Sequence, residues 1–219
     1  MLTTAVLSGL TMSSLLAHVA AGLTLYFCKR DDQANPAYPG MALAGLLVLL
    51  AILPDFDYFA IWFLHLRFEQ RYTHSLTFCL LAGGITYYLM YRLYRLLYRP
   101  LQPAWTKPGF TTLLQLLLAA CSHLLLDILV GRSLPLLWPF LTTEFFLPVA
   151  MLPGAAHTGL ASFTFWRNLL LESCLLLPVL LGILLLARRL PMRIYLPEIL
   201  LVLSMWSGLL VVSGALTAS

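Results

Sequence analysis

Polar residues in this chain mostly punctuate long apolar runs. The first run extends from about Thr3 to Cys28, with His18 well inside it. A turn-rich connection follows (Lys29-Arg30-Asp31-Asp32, Asn35-Pro36, Pro39-Gly40), and a second run begins at Met41. That run meets Pro54-Asp55-Phe56-Asp57, where proline removes a backbone donor and disfavours helical geometry in the residue before it, so the helix should bend or break there. Tyr58–Leu66 is apolar but too short to cross a bilayer alone. A third run starts near His74, with Thr73 as its expected cap, and ends near Tyr98. The fourth occupies Thr111–Val130, the fifth about Phe165–Ala187 and the sixth roughly Leu196–Leu216. Between the fourth and fifth, from Gly131 to about Ser162, the chain is apolar but interrupted by Pro135, Pro139, Pro148 and Pro153. That pattern fits a re-entrant or interfacial loop better than a clean span.

Runs of this length cross a hydrocarbon core of about 30 Å, which takes roughly 20 helical residues. Composition agrees: of 219 residues 61% are hydrophobic and 10% charged, with a mean hydropathy of +0.89. The expected architecture is all-α, a polytopic membrane bundle of about six transmembrane helices in one domain. A pI near 9.0 is then no argument for nucleic acid, because membrane proteins use Lys and Arg in loops to set topology. With six spans, Lys29, Arg30, Arg92, Arg95, Arg99, Lys107, Arg188, Arg189 and Arg193 share one side, and Arg67, Arg71, Arg132 and Arg167 the other. The positive-inside rule places both termini away from the cytoplasm. Lys29 and Arg30 follow the first span instead of preceding it, so it reads as retained, not as a cleaved leader. The four cysteines lack CxxC spacing and read as buried thiols.

The pair His123 and Asp127 changes the picture most. Four residues apart on a helix, they share a face inside a span, where ionisable groups are costly unless they pair, line a wet cavity or bind a metal. On this topology Asp55, Asp57, His74, His123, Asp127 and Glu172 all fall near the non-cytoplasmic ends of spans, and His18 lies level with them or deeper. Histidine nitrogens with carboxylate oxygens suit zinc, manganese or iron, and seven candidate ligands leave room for one ion or two. A metal site of that kind activates water and stabilises a phosphoester displacement. Arg71, Arg132 and Arg167 on the same side could bind an anionic substrate. Milder readings compete: Asp55 and Asp57 as a turn, His74 as an interfacial histidine, His123 and Asp127 as an interhelical bond, Glu172 as the partner of Arg167. His65, His157, Glu69 and Glu144 read as interfacial or loop residues.

Four segments in order, Pro54-Asp55-Phe56-Asp57, Arg71-Tyr72-Thr73-His74-Ser75, His123-Leu124-Leu125-Leu126-Asp127 and Leu136-Leu137-Trp138-Pro139-Phe140, resemble the bacterial inner-membrane metal-dependent hydrolases of the YdjM/YbcI-like group. His18 matches that group's early histidine and Glu172 its late glutamate. Gln70 departs from it, standing where the group usually has a histidine. The order of ligands is also loosely similar to that of zinc-dependent phospholipase C and nuclease proteins. The resemblance implies an inner-membrane hydrolase. Joined to the residues, it leads to a divalent metal held by Asp55, His74, His123 and Asp127 first, with Asp57, Glu172 and His18 next. Arg71 would bind phosphate and Asp57 would act as general base on a lipid or other phosphoester at the periplasmic side. A proton- or cation-coupled transporter and a metal-stabilised scaffold are the rival expectations. Oligomeric state is left open.

Overall fold

The computed structural model describes residues 15–28, 40–57, 71–98, 108–147, 151–152 and 163–188. The expected sixth span and the 58–66 segment lie outside the described residues, as do His65, Glu69, Gln70, His157 and the basic residues Lys29, Arg30, Arg67, Arg99, Lys107, Arg189 and Arg193. Five α-helices carry the described chain: α1 (Leu15–Phe27), α2 (Gly40–Ile52), α3 (Leu76–Leu93), α4 (Phe110–Leu129) and α5 (Phe163–Ala187). Among the described residues there is no strand, only an isolated bridge between Leu134 and Phe145.

Among the described residues three stretches are long and apolar enough to cross a membrane: Leu76–Leu96, Phe110–Leu129 and Trp166–Ala187. Two further apolar stretches, Leu15–Phe27 and Met41–Phe56, are shorter. The spans differ in how much of themselves they bury, 44% for α4 against 17% and 22% for the other two. α4 is therefore the axis of the bundle, packed against α1, α2 and α3, while α1 also packs on α2 and α5. Leu47, Leu50, Cys79, Leu116, Ala119 and Leu124 form the α2–α3–α4 core, and Ala17, Ala21, Leu126 and Leu175 the α1–α4–α5 core. The outward face of α3 presents Leu81, Ile85, Tyr88 and Leu89, a surface that lipid solvates and water does not.

Two local breaks shape the site. α2 stops at Ile52, and Leu53–Phe56 continues as a 3-10 turn with Pro54 in its first positions, the break expected from proline. The last four carbonyls of a helix have no partner within it, and Ala51 belongs to that group. α3 begins after a second 3-10 turn, Tyr72–His74. Here the expected cap is corrected. Ser75, not Thr73, is the N-cap, its Oγ accepting from the Phe78 amide at 3.2 Å and donating to the Tyr72 carbonyl at 2.8 Å. The intervening turn shifts the helix start by two residues and frees the Thr73 hydroxyl for the site.

α1 and α2 approach closely at Gly22, where an added Cβ would lie 2.9 Å from the Val48 Cα and 3.0 Å from the Leu47 carbonyl oxygen. Both obstacles are backbone and cannot rotate away. Gly22→Ala should therefore destabilise the bundle by about 1–3 kcal/mol, as overpacking does. Gly84→Ala, where nothing lies within 4 Å, should be neutral or stabilising by up to about 1 kcal/mol from helix propensity. Thermal unfolding of both variants in one detergent checks the contrast.

Candidate metal centre

The two breaks and the C-terminal half of α4 bring polar side chains to one end of the bundle. His123 and Asp127 project from α4, Asp55 from the turn after α2, His74 from the turn before α3, and His18 from the first turns of α1. His18, His74 and His123 are completely buried and Asp127 nearly so, while Asp55 keeps slight access. The i,i+4 pair on α4 is the hub, with His123 Nε2 3.6 Å from Asp127 Oδ2.

Second partners orient both central rings. His123 Nδ1 lies 2.7 Å from the Ala51 carbonyl oxygen. A carbonyl can only accept, so Nδ1 carries the proton and Nε2 turns a lone pair inward. The Thr73 hydroxyl donates to Asp57 Oδ2 at 2.9 Å and so accepts from His74 Nδ1 at 3.0 Å. That again leaves the His74 Nε2 lone pair facing inward. Burial pushes the His74 imidazole, in the turn ahead of its span, below the ordinary histidine range, with neighbouring Asp55 opposing the shift. The neutral ring is the form that ligates metal.

The two Nε2 atoms stand 3.2 Å apart. Asp55 Oδ1 lies 3.4 Å from the first (His74) and 3.6 Å from the second, and Asp127 Oδ2 repeats those distances, 3.4 and 3.6 Å. Four acceptor atoms thus crowd together, and Asp55 Oδ1 accepts no hydrogen bond among the described residues. Tetrahedral zinc with bonds of about 2.0–2.1 Å separates its ligand atoms by about 3.3–3.5 Å. Five separations in this quartet, 3.2 to 3.6 Å, are of that size. His74 Nε2 and His123 Nε2, with either carboxylate oxygen, are therefore spaced as three ligands of a small divalent cation would be. Two overlapping triads, His18-His123-Asp127 and Asp55-His74-His123, each keep their ligand atoms within 4.8 Å of one another.

The remaining expected residues separate into three groups. His18 stacks on His123 (ring centroids 3.9 Å apart, planes 13° off parallel) and points Nε2 at Asp55 and Asp127, 3.9 Å from each. Asp57 is gripped by the Arg71 guanidinium, Nε to Oδ2 at 2.7 Å with a second bond from NH2, accepts from Thr73, and lies 3.8 Å from His74 Nδ1. Arg132, nearly fully buried, donates to Asp127 Oδ2 at 2.8 Å and sits 3.3 Å from His74 Nε2. Glu172 is buried on α5, the helix that packs against α1. Arg167 is not gathered in: it is exposed and bonds to adjacent Asn168. Glu144 accepts from Ser133 in an exposed loop. Sequence reasoning missed the Ala51 carbonyl and the Thr73 relay. Pro54 was the available signal for the first, since it ends α2, and adjacency to His74 for the second.

An all-helical bundle with apolar spans and a buried His/Asp cluster at one end defines an integral-membrane protein with a candidate metal centre. The family model described as YdjM inner membrane protein matches residues 12–211. The chain belongs to that family. No curated protein and no solved structure matches it.

The hydrogen-bond partners fix an observable tautomer. Nitrogen-15 spectra of histidine-labelled protein in detergent, without added metal, should show His74 and His123 as neutral rings protonated at Nδ1. Thr73→Val should remove that preference for His74 alone. A protonated Nε2 on both rings in the unchanged chain would contradict the assignment.

Proposed function

We propose that the chain is an integral-membrane, metal-dependent hydrolase acting on a phosphoester, with a lipid headgroup as the substrate and the site on the periplasmic side. The observation that carries the reading is the pair of inward Nε2 lone pairs, 3.2 Å apart, each within 3.4–3.6 Å of an Asp55 and an Asp127 oxygen. In an interior shielded from water such groups repel one another unless cations meet them; Arg132 meets Asp127 and His74, and Asp55 Oδ1 is left for an ion. A divalent ion there, zinc by the ligand set, supplies a Lewis acid and acidifies water at neutral pH.

The protein's own residues then have definite tasks. Asp55, His74, His123 and Asp127 hold the ion. His123 can serve only one ion, because its Nδ1 is committed to Ala51, which supports a single centre over two. His18 aligns the two carboxylates. Asp57, neutralised by the Arg71 fork, is a positioning residue for His74, acting through Thr73. Arg132 keeps a cationic guanidinium beside the centre, where a phosphoryl oxygen would approach. Asp55 keeps residual access and offers the ion Oδ1, which accepts no hydrogen bond among the described residues.

Charge distribution supports the orientation. The site end carries Asp55, Asp57, Asp127 and Glu172, with Arg71 and Arg132 tied to carboxylates. The opposite end carries Arg92 on α3, Arg95 in the π-helical turn Tyr94–Tyr98 that continues it, and Arg188 just after α5, and no described acid. An excess of basic residues marks the cytoplasmic side. A transport path would need polar groups through both halves of the bundle, whereas Gln115, the amide in the other half of α4, is spent on the Leu25 carbonyl at 3.0 Å.

Elemental mass spectrometry of protein purified without chelator should find about one divalent transition metal per chain. His123→Ala and Asp127→Asn should each lose it, and Arg167→Ala should keep it. Thr73→Val should weaken binding by about 10–100-fold, the usual effect of removing a partner that orients a ligand. Metal-loaded protein should cleave lipid phosphoesters in mixed micelles and the His123→Ala protein should not. Stoichiometric metal without cleavage of any phosphoester would reduce the reading to a metal-stabilised scaffold. Absence of metal after reconstitution would remove it.

A further inference from the structure

The 133–147 loop leaves the C-terminal end of α4 through Gly131, whose φ of 83° only glycine adopts easily, and Arg132. It exposes an apolar tip. Phe140 is 82% exposed and Phe146 63%, with Leu141 and Phe145 exposed beside them. Met151, exposed as well, is held at the same rim by its amide, which donates to the Leu129 carbonyl at the end of α4.

Several of the loop's backbone groups are paired within the protein. Leu134 and Phe145 exchange both backbone hydrogen bonds, at 2.9 and 2.8 Å. Ser133 closes the base of the loop by donating to Glu144 at 2.6 Å. The Leu136 carbonyl accepts from the Leu76 amide at 2.9 Å, and the Trp138 carbonyl from the Thr77 hydroxyl at 2.8 Å. Pro135 and Pro139 contribute no N–H at all. The Trp138 ring packs on Tyr72, centroids 4.6 Å apart. The loop is thus tied to the first turn of one membrane-crossing stretch, Leu76–Leu96, and springs from the last turn of another, Phe110–Leu129.

We propose that this loop is a lipid-contacting element, with Phe140 and Phe146 seated among the headgroups and upper acyl chains of the leaflet that borders the metal centre. Its place at the ends of two spans makes the exposed tip continuous with their lipid-facing surface. Aromatic side chains prefer that depth. Irregular backbone is tolerated there only when its hydrogen bonds are met internally, as many of these are. The proposal rests on the membrane position of α3 and α4 and not on turnover, so it stands or falls separately from the hydrolase reading. What it adds is a surface at which the leaflet meets exposed Tyr72, two residues before buried His74.

Photocrosslinking tests it on the full chain with its cysteines intact. Phe140→benzoylphenylalanine and Phe146→benzoylphenylalanine replace one aromatic ring with another. Leu81→benzoylphenylalanine, on the outward face of α3, is the lipid-exposed reference. Each protein is reconstituted in vesicles of phosphatidylethanolamine and phosphatidylglycerol, irradiated and read by intact mass. Both loop positions should gain the mass of one phospholipid, as the reference does. Adducts to another segment of the same chain or to a second copy would overturn the proposal, because protein would then cover the tip. A reference that crosslinks to lipid while both loop positions stay unmodified would overturn it too, because the tip would then face water.

Discussion

Everything at the site end of this bundle follows from placing four hydrogen-bond acceptors against one another where water cannot reach. The lone pairs of His74 and His123 and the oxygens of Asp55 and Asp127 have no mutual attraction. Coulomb repulsion between such groups grows as the surrounding dielectric falls. The arrangement is held by what stands behind it: the Ala51 carbonyl on one ring, the Thr73–Asp57–Arg71 chain on the other, and Arg132 on the carboxylate of α4. The first two stand behind the rings and fix inward lone pairs, while the Arg132 guanidinium enters the cluster, meeting Asp127 Oδ2 at 2.8 Å and His74 Nε2 at 3.3 Å. A bound divalent ion would offset the repulsion that remains at His123 and Asp55.

The supports depend on where helices end. α2 stops at Pro54, which exposes the Ala51 carbonyl and swings Asp55 toward α4. α3 starts at Leu76, after a turn that carries His74 inward and leaves Ser75 as its cap. In a membrane bundle, backbone groups freed at a break must find partners. Here the breaks are also where ligands emerge. The buried His/Asp cluster and the interruptions in helical hydrogen bonding are one feature of the fold.

Much of this was legible in the chain itself. His123 and Asp127 share a face by helical periodicity alone, and the alternation of spans brings Asp55, His74 and His18 to the same end. Proline at 54 announces the break. Sequence ranked Asp55 ahead of Asp57 but kept both as ligands, since both flank Phe56 in the same turn and both carry the same group. Only the 3-10 geometry sends Asp55 to the centre and Asp57 to Arg71. Nor could it rank the arginines: Arg132 is five residues from Asp127 and bends back to it, whereas Arg167, on a helix of similar composition, faces outward. Thr73 and Ser75 are both good caps, and the choice between them turned on two residues of 3-10 helix that leave no pattern in hydropathy.

The division of labour between Asp55 and Asp57 bears on what chemistry the centre can support. The Asp57 carboxylate is taken up by the two-pronged Arg71 guanidinium and the Thr73 hydroxyl. Asp57 is therefore suited to holding a threonine and a histidine in place. Asp55 Oδ1 accepts no hydrogen bond among the described residues although it lies 3.4 and 3.6 Å from the two Nε2 atoms. The cluster thus separates a carboxylate fully engaged by its neighbours from one whose inward oxygen is left for an ion.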